Sequence, residues 1–70
     1  MERQQVNSSE IQSIGFEPLK RTLEIEFTTG EIIQYYNVPE KIYQGLMRTE
    51  SHFKYFNALI KNFYKSCRVS

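Results

Sequence analysis

The seventy residues predict an α+β domain, a three-stranded antiparallel meander followed by two helices packed on one sheet face (β-β-β-α-α). Apolar and polar residues alternate from Thr22 to Thr28, and after Pro39 the apolar spacing lengthens to three or four. Glycine and proline punctuate the chain at Gly15, Pro18, Gly30 and Pro39. Together these observations place strands first and helices second. Seventy residues make one domain, with residues 1–8 read as a flexible lead-in and 9–70 as the domain itself.

The elements follow in order. Ile14 and Phe16 alternate around Gly15 as a first strand, and Glu17-Pro18-Leu19-Lys20-Arg21 reads as a turn whose proline sets the backbone angle. In the second strand Leu23, Ile25 and Phe27 alternate with Thr22, Glu24, Glu26 and Thr28, giving one apolar face and one wet face. Thr28-Thr29-Gly30-Glu31 supplies a hairpin turn. The returning strand puts Ile32 and Tyr36 on one face and Ile33 and Tyr35 on the other. Adjacent Tyr35 and Tyr36 therefore point apart, and at most one of them belongs to the core.

Asn37-Val38-Pro39-Glu40 opens the first helix, with Pro39 where a missing N–H costs nothing. Ile42, Tyr43, Leu46 and Met47 share one side of it. Gly45 either weakens this helix by about 1 kcal/mol relative to alanine or admits a close neighbour. Thr49 and Ser51 are candidate caps for the second helix. There Phe53, Phe56, Leu59, Ile60 and Phe63 form an apolar stripe suited to lying across the sheet.

Charge is unevenly placed. The formal net charge is only +1, yet all eight glutamates lie in the first fifty residues. The last twenty hold Lys54, Lys61, Lys65 and Arg68 and no acid. On a continuous helix the three lysines fall within about 40° of one another, Arg68 extends their line, and Asn57 and Tyr64 flank it. Such a ridge neutralises phosphates while amides and aromatic rings address bases, the pattern of RNA or single-strand binding. The same residues also suit an ordinary solvated helix face, and +1 is low for a nucleic-acid-binding domain. Tyr35 is a further stacking candidate, although tyrosines in small domains also serve as core and rim.

Catalysis has little to work with. His52 follows Ser51 directly, so the two do not face each other at a helix start, and no third residue orients the ring. Glu24 and Glu26 sit about 7 Å apart on a strand face that nothing in the pattern buries. Gly30 stands without the repeated glycines of a phosphate loop. One histidine, one cysteine and no aspartate leave a closed metal site short of ligands, and Cys67 has no partner for an internal disulfide. The expectation is a non-enzymatic binding module without cofactor or metal. The polar N-terminus and the lack of a long apolar run give a cytoplasmic reading with no membrane partner.

Ser8-Ser9-Glu10-Ile11, Ile14-Gly15-Phe16, Leu23 to Phe27, Gly30, Tyr35, Val38-Pro39 and Ser51 to Asn57 occur in an order that resembles the KTSC domain. The resemblance covers about residues 8–69. That family is named for its place at the C-terminus of some lysyl-tRNA synthetases and also occurs as small stand-alone bacterial proteins, an association that implies RNA binding. It marks Tyr35, Ser51, Lys54, Tyr55 and Asn57 as site candidates, whereas Lys61, Lys65, Arg68 and Tyr64 rest on charge and helical position. The chain departs from the family's Tyr-x-Tyr at Ile33, and from its glycine before Lys-Tyr-Phe-Asn at Phe53. The rival expectation is a protein-interaction or self-associating domain that uses Phe53, Tyr36 or an open sheet edge.

Overall fold

Strict alternation from Leu23 to Phe27 makes a strand with one greasy side, and the rest of the molecule is organised by covering that side. The computed structural model describes residues 1–70. In chain order the elements are β1 (Gln4–Gln5), β2 (Ile11–Glu17), β3 (Thr22–Phe27), β4 (Ile32–Tyr35), α1 (Glu40–Arg48), α2 (His52–Leu59) and β5 (Ser66–Arg68). The strands form one antiparallel sheet in the order β1-β2-β3-β4-β5.

Five strands, rather than the expected three, complete the sheet. β1 lies in the segment read as a lead-in, and β5 lies where the second helix was expected to continue. Both are exposed and only two or three residues long, too short to carry an alternation signal. Their role is to pair the edges of the meander. Val69 N–H donates to the Ile32 carbonyl at 2.8 Å, Tyr36 N–H to Lys65 at 2.9 Å and Ile32 N–H to Ser70 at 3.1 Å. These bonds satisfy backbone groups of β4 and of Tyr36 just after it, which a longer α2 would have left to solvent.

The inner face holds the core. Ile11, Ile14, Leu23, Ile25 and Tyr35 from the sheet pack with Val38, Leu46, Phe56 and Ile60. A bulge in β2 pairs Ile11 with Phe27 but Ser13 with Glu26, so one extra residue lets Ile11 and Ile14 face the same layer. Tyr35 is the buried member of the tyrosine pair and Tyr36 lies half-buried on the outer face. Each fully buried isoleucine or leucine contributes about 1.5–3 kcal/mol of burial free energy.

The helices lie on this face. Tyr43 of α1 stacks on Phe16 of β2, with ring centroids 4.7 Å apart and planes at 10°. At Gly45 a close neighbour is present: a Cβ there would collide with the Tyr55 phenol of α2. Ser51 occupies the N-cap position of α2 without a side-chain bond. At the other end the N–H groups of Ile60 and Lys61 both donate to the Phe56 carbonyl, at 2.9 and 3.0 Å. That doubly used carbonyl ends the helix and turns the chain toward β5. The apolar stripe is cut short accordingly: Phe56 and Ile60 are buried, while Leu59 and Phe63 are exposed.

The outer face corrects another expectation, since Glu24 is only 8% exposed. The segment leading into β1 crosses Gly15 so closely that a Cβ there would meet the Glu2 carbonyl oxygen at 2.7 Å. This brings the Arg3 guanidinium onto Glu24, while Arg3 Nε donates to Ser13 Oγ at 3.0 Å and Gln34 Nε2 donates to Glu24 Oε1 at 2.8 Å. Burial pushes the Glu24 carboxyl up, but the hydrogen bonds from Gln34 and Arg3, with the Arg3 charge, outweigh it and hold the group below its ordinary value.

Candidate functional site

An eight-residue α2 is too short to cover the whole inner face, and near β4 it leaves a groove of about 190 Å³. Phe27, Ile33, Tyr35, Phe53 and Phe56 form its apolar surface, and Glu31, Asn57 and Lys61 bring polar groups to it. Phe56 organises the aromatic floor. Its ring meets Phe27 edge-on at 5.5 Å, Tyr35 edge-on at 5.5 Å and Phe53 in an offset stack at 6.2 Å. A carboxylate, a carboxamide and an ammonium thus converge on an apolar surface, the usual make-up of a small recognition site.

Glu31 is the pivot of its electrostatics. Thr29 Oγ1 donates to Glu31 Oε1 at 3.2 Å, and Arg68 Nη1 lies 3.5 Å from Glu31 Oε2. Arg68 stands opposite Ile33 in the β4–β5 register, which puts its side chain on the groove side of the sheet. Burial, and secondarily the Glu31 charge, push the Tyr35 phenol up to about 12. Tyr35 is therefore neutral at any physiological pH.

Tyr35, Asn57 and Lys61 of the expected site come together in the groove, and Arg68 joins them through Glu31. Lys54 is exposed on α2, three residues before Asn57 and so on the same side of the helix. Lys65 is exposed at the approach to β5. The single helical ridge of Lys54, Lys61 and Lys65 does not form, because α2 ends at Leu59, Lys61 lies on the turn that follows and Lys65 on the irregular approach to β5. Tyr35 is 4% exposed and supplies floor rather than a free stacking face. Tyr55 is occupied at Gly45, Tyr64 is half-buried against the core, and Ser51 lies outside the groove.

Glu31 is the contributor that sequence reading missed. It appears there only as a turn residue, and nothing local reports that the β3–β4 turn approaches α2. His52, weighed as a base, points its Nδ1 at the Leu46 carbonyl at 2.7 Å and so ties the start of α2 to α1. This contact requires the proton on Nδ1. A larger recess of about 450 Å³ on the outer face is bordered by Glu17, Lys20, Glu24 and Tyr36. Its innermost polar groups are already paired: Glu24 with Arg3 and Gln34, and the Tyr36 hydroxyl with Gln34 Oε1 at 3.2 Å. No group of three or more His, Cys, Asp or Glu is arranged to hold a metal ion, and no helix is long and apolar enough to cross a membrane.

Residues 7–64 match the model of the KTSC domain family. The chain belongs to the KTSC domain family. A crystal structure of a KTSC domain protein from Yersinia pestis superposes with a TM-score of 0.96 at 38% identity, covering 99% of this chain and 97% of that one. An uncharacterised protein of Stutzerimonas stutzeri is 34% identical over 61 residues, 87% of this chain and 86% of its own length. A lysine–tRNA ligase of Nostoc sp. is 35% identical over 60 residues, 86% of this chain but 11% of the ligase. Within this KTSC domain the groove residues from Phe27 to Lys61 all lie inside the matched span, whereas Lys65 and Arg68 lie beyond it.

Proposed function

We propose that this KTSC domain is a non-enzymatic RNA-binding module that holds a tRNA-like or single-stranded segment along α2 and β5, with one unpaired base in the groove. The observation that carries the reading is the groove itself. It places an apolar aromatic surface beside Asn57 and Lys61, with Lys54 exposed on the same helix and Arg68 paired to the one groove carboxylate, Glu31. Lys54, Lys61, Lys65 and Arg68 neutralise phosphates, Asn57 hydrogen-bonds a base edge and Phe53 supplies the apolar contact. The likeness to a segment of a lysine–tRNA ligase supports the same reading by association.

An amide-resolved NMR titration with bulk tRNA and with mixed single-stranded RNA, at low and physiological salt, tests it. Shifts centred on Lys54, Asn57 and Lys61 that persist at physiological salt are expected. A flat spectrum even at low salt removes the proposal. The second reading, self-association or a protein partner, draws on Leu59 and Phe63, which are 43% and 67% exposed. It requires a dimer by light scattering that is insensitive to salt.

A further inference from the structure

We infer that the groove selects guanine, with Glu31 as the residue that reads the base; the inference rests on the RNA-binding reading above. An ionised carboxylate offers about four lone-pair positions. Thr29 engages one oxygen of Glu31 and Arg68 the other, which leaves both oxygens able to accept a further bond. Two parallel acceptors call for two parallel donors. Guanine presents such a pair on its Watson–Crick edge, N1–H beside the 2-amino group. Adenine and cytosine set a single amino group beside an acceptor nitrogen, which a carboxylate repels. Uracil flanks its one N–H with two carbonyls. Guanine alone among the four bases complements Glu31.

The other groove residues fit the same base. Asn57 and Lys61 carry donors for the acceptors O6 and N7 of guanine. Phe53, half-buried at the groove, offers an apolar ring surface to the base plane. Arg68 answers the charge of Glu31, so the carboxylate does not repel the phosphates that Lys54, Lys61 and Lys65 attract. Purely non-specific binding has no use for a carboxylate on a cationic surface. Its placement in the groove is accounted for by discrimination.

Fluorescence anisotropy with the full chain and labelled hexauridine provides the test, one central uridine being replaced in turn by guanosine, adenosine, cytidine or inosine. The guanosine oligomer is expected to bind about tenfold more tightly than the adenosine, cytidine and all-uridine oligomers. Inosine, which keeps N1–H and lacks the 2-amino group, falls between. Glu31→Gln erases the preference, so that the guanosine and all-uridine oligomers bind the variant equally. Its fold is checked by the amide spectrum, and Glu31 is a half-exposed residue beside a turn. Arg68→Ala weakens every oligomer alike and keeps the preference. Equal affinity for all oligomers overturns the guanine inference while the RNA reading stands. Binding by none removes both. A guanosine preference that survives Glu31→Gln overturns the role given to Glu31.

Discussion

The ring of Tyr35 stands edge-on to that of Phe56, with centroids 5.5 Å apart and planes at 74°. Through this contact a strand residue and a helix residue share one job: they close the core below and form the groove floor above. Stability and recognition are therefore coupled at Phe56. Phe56→Ala removes the ring that touches Phe27, Tyr35 and Phe53, and is expected to cost about 3–5 kcal/mol. Phe63→Ala, at a position 67% exposed, stays within about 0.5 kcal/mol of the parent. Urea midpoints for the two variants decide, and a mild Phe56→Ala contradicts the packing described.

Tyr35 also makes an alkaline prediction. Its folded value is raised from 10.0 to about 12, so the unfolded chain gives up this proton first as pH rises. The contribution of Tyr35 is complete below pH 10 and is lost between pH 10 and about 12. Tyr35→Phe should flatten that part of the stability profile relative to the parent. Identical slopes for the two proteins would count against the burial of the phenol.

Gly45 and Tyr55 form a pair whose coupling has a definite sign. Gly45→Ala gains about 1 kcal/mol of helix propensity but drives a methyl into the Tyr55 phenol, an overpacking cost of about 1–3 kcal/mol. Alone it is expected to destabilise. In a Tyr55→Ala background the collision is gone, and the same change becomes stabilising. A double-mutant cycle in urea reads the reversal; additive effects would mean the helices are not held at this contact.

Arg3 and Glu24 govern the acid side. The Glu24 carboxyl is held below its ordinary value of 4.5, so on acidification the unfolded chain takes up the proton first. Its stabilisation is present above pH 4.5 and is lost as pH falls through the folded value. Arg3→Ala leaves a nearly buried carboxylate with Gln34 alone, which costs roughly 1–3 kcal/mol at neutral pH. It also shallows the acid limb. Denaturant midpoints between pH 3 and pH 7 measure both effects.

The cations of the last twenty residues make the functional prediction. Lys54→Ala, Lys61→Ala and Lys65→Ala should each reduce the slope of log affinity for single-stranded RNA against log salt by about 0.7. Lys20→Ala and Lys41→Ala, exposed in the β2–β3 turn and on α1, serve as controls and leave it unchanged. Equal effects at all five positions would indicate diffuse attraction rather than a site.

The α+β class, the facing of β3, the split between Tyr35 and Tyr36, the hairpin at Gly30 and the succession of two helices are all legible in the order of residues. All of these follow from local causes: a period of two, a period near 3.6, and backbone angles set by glycine and proline. The same order also carried the KTSC pattern and placed Asn57 and Lys61 among the site candidates. Long-range packing sets the rest: β1 and β5 flank the meander, α2 stops at Leu59, Arg3 covers Glu24, and Glu31 meets Asn57 and Lys61 at one groove. Those features depend on which distant backbone groups pair. A strand of two or three residues, stabilised by the hydrogen-bonding needs of its neighbour, leaves no periodic trace in its own side chains.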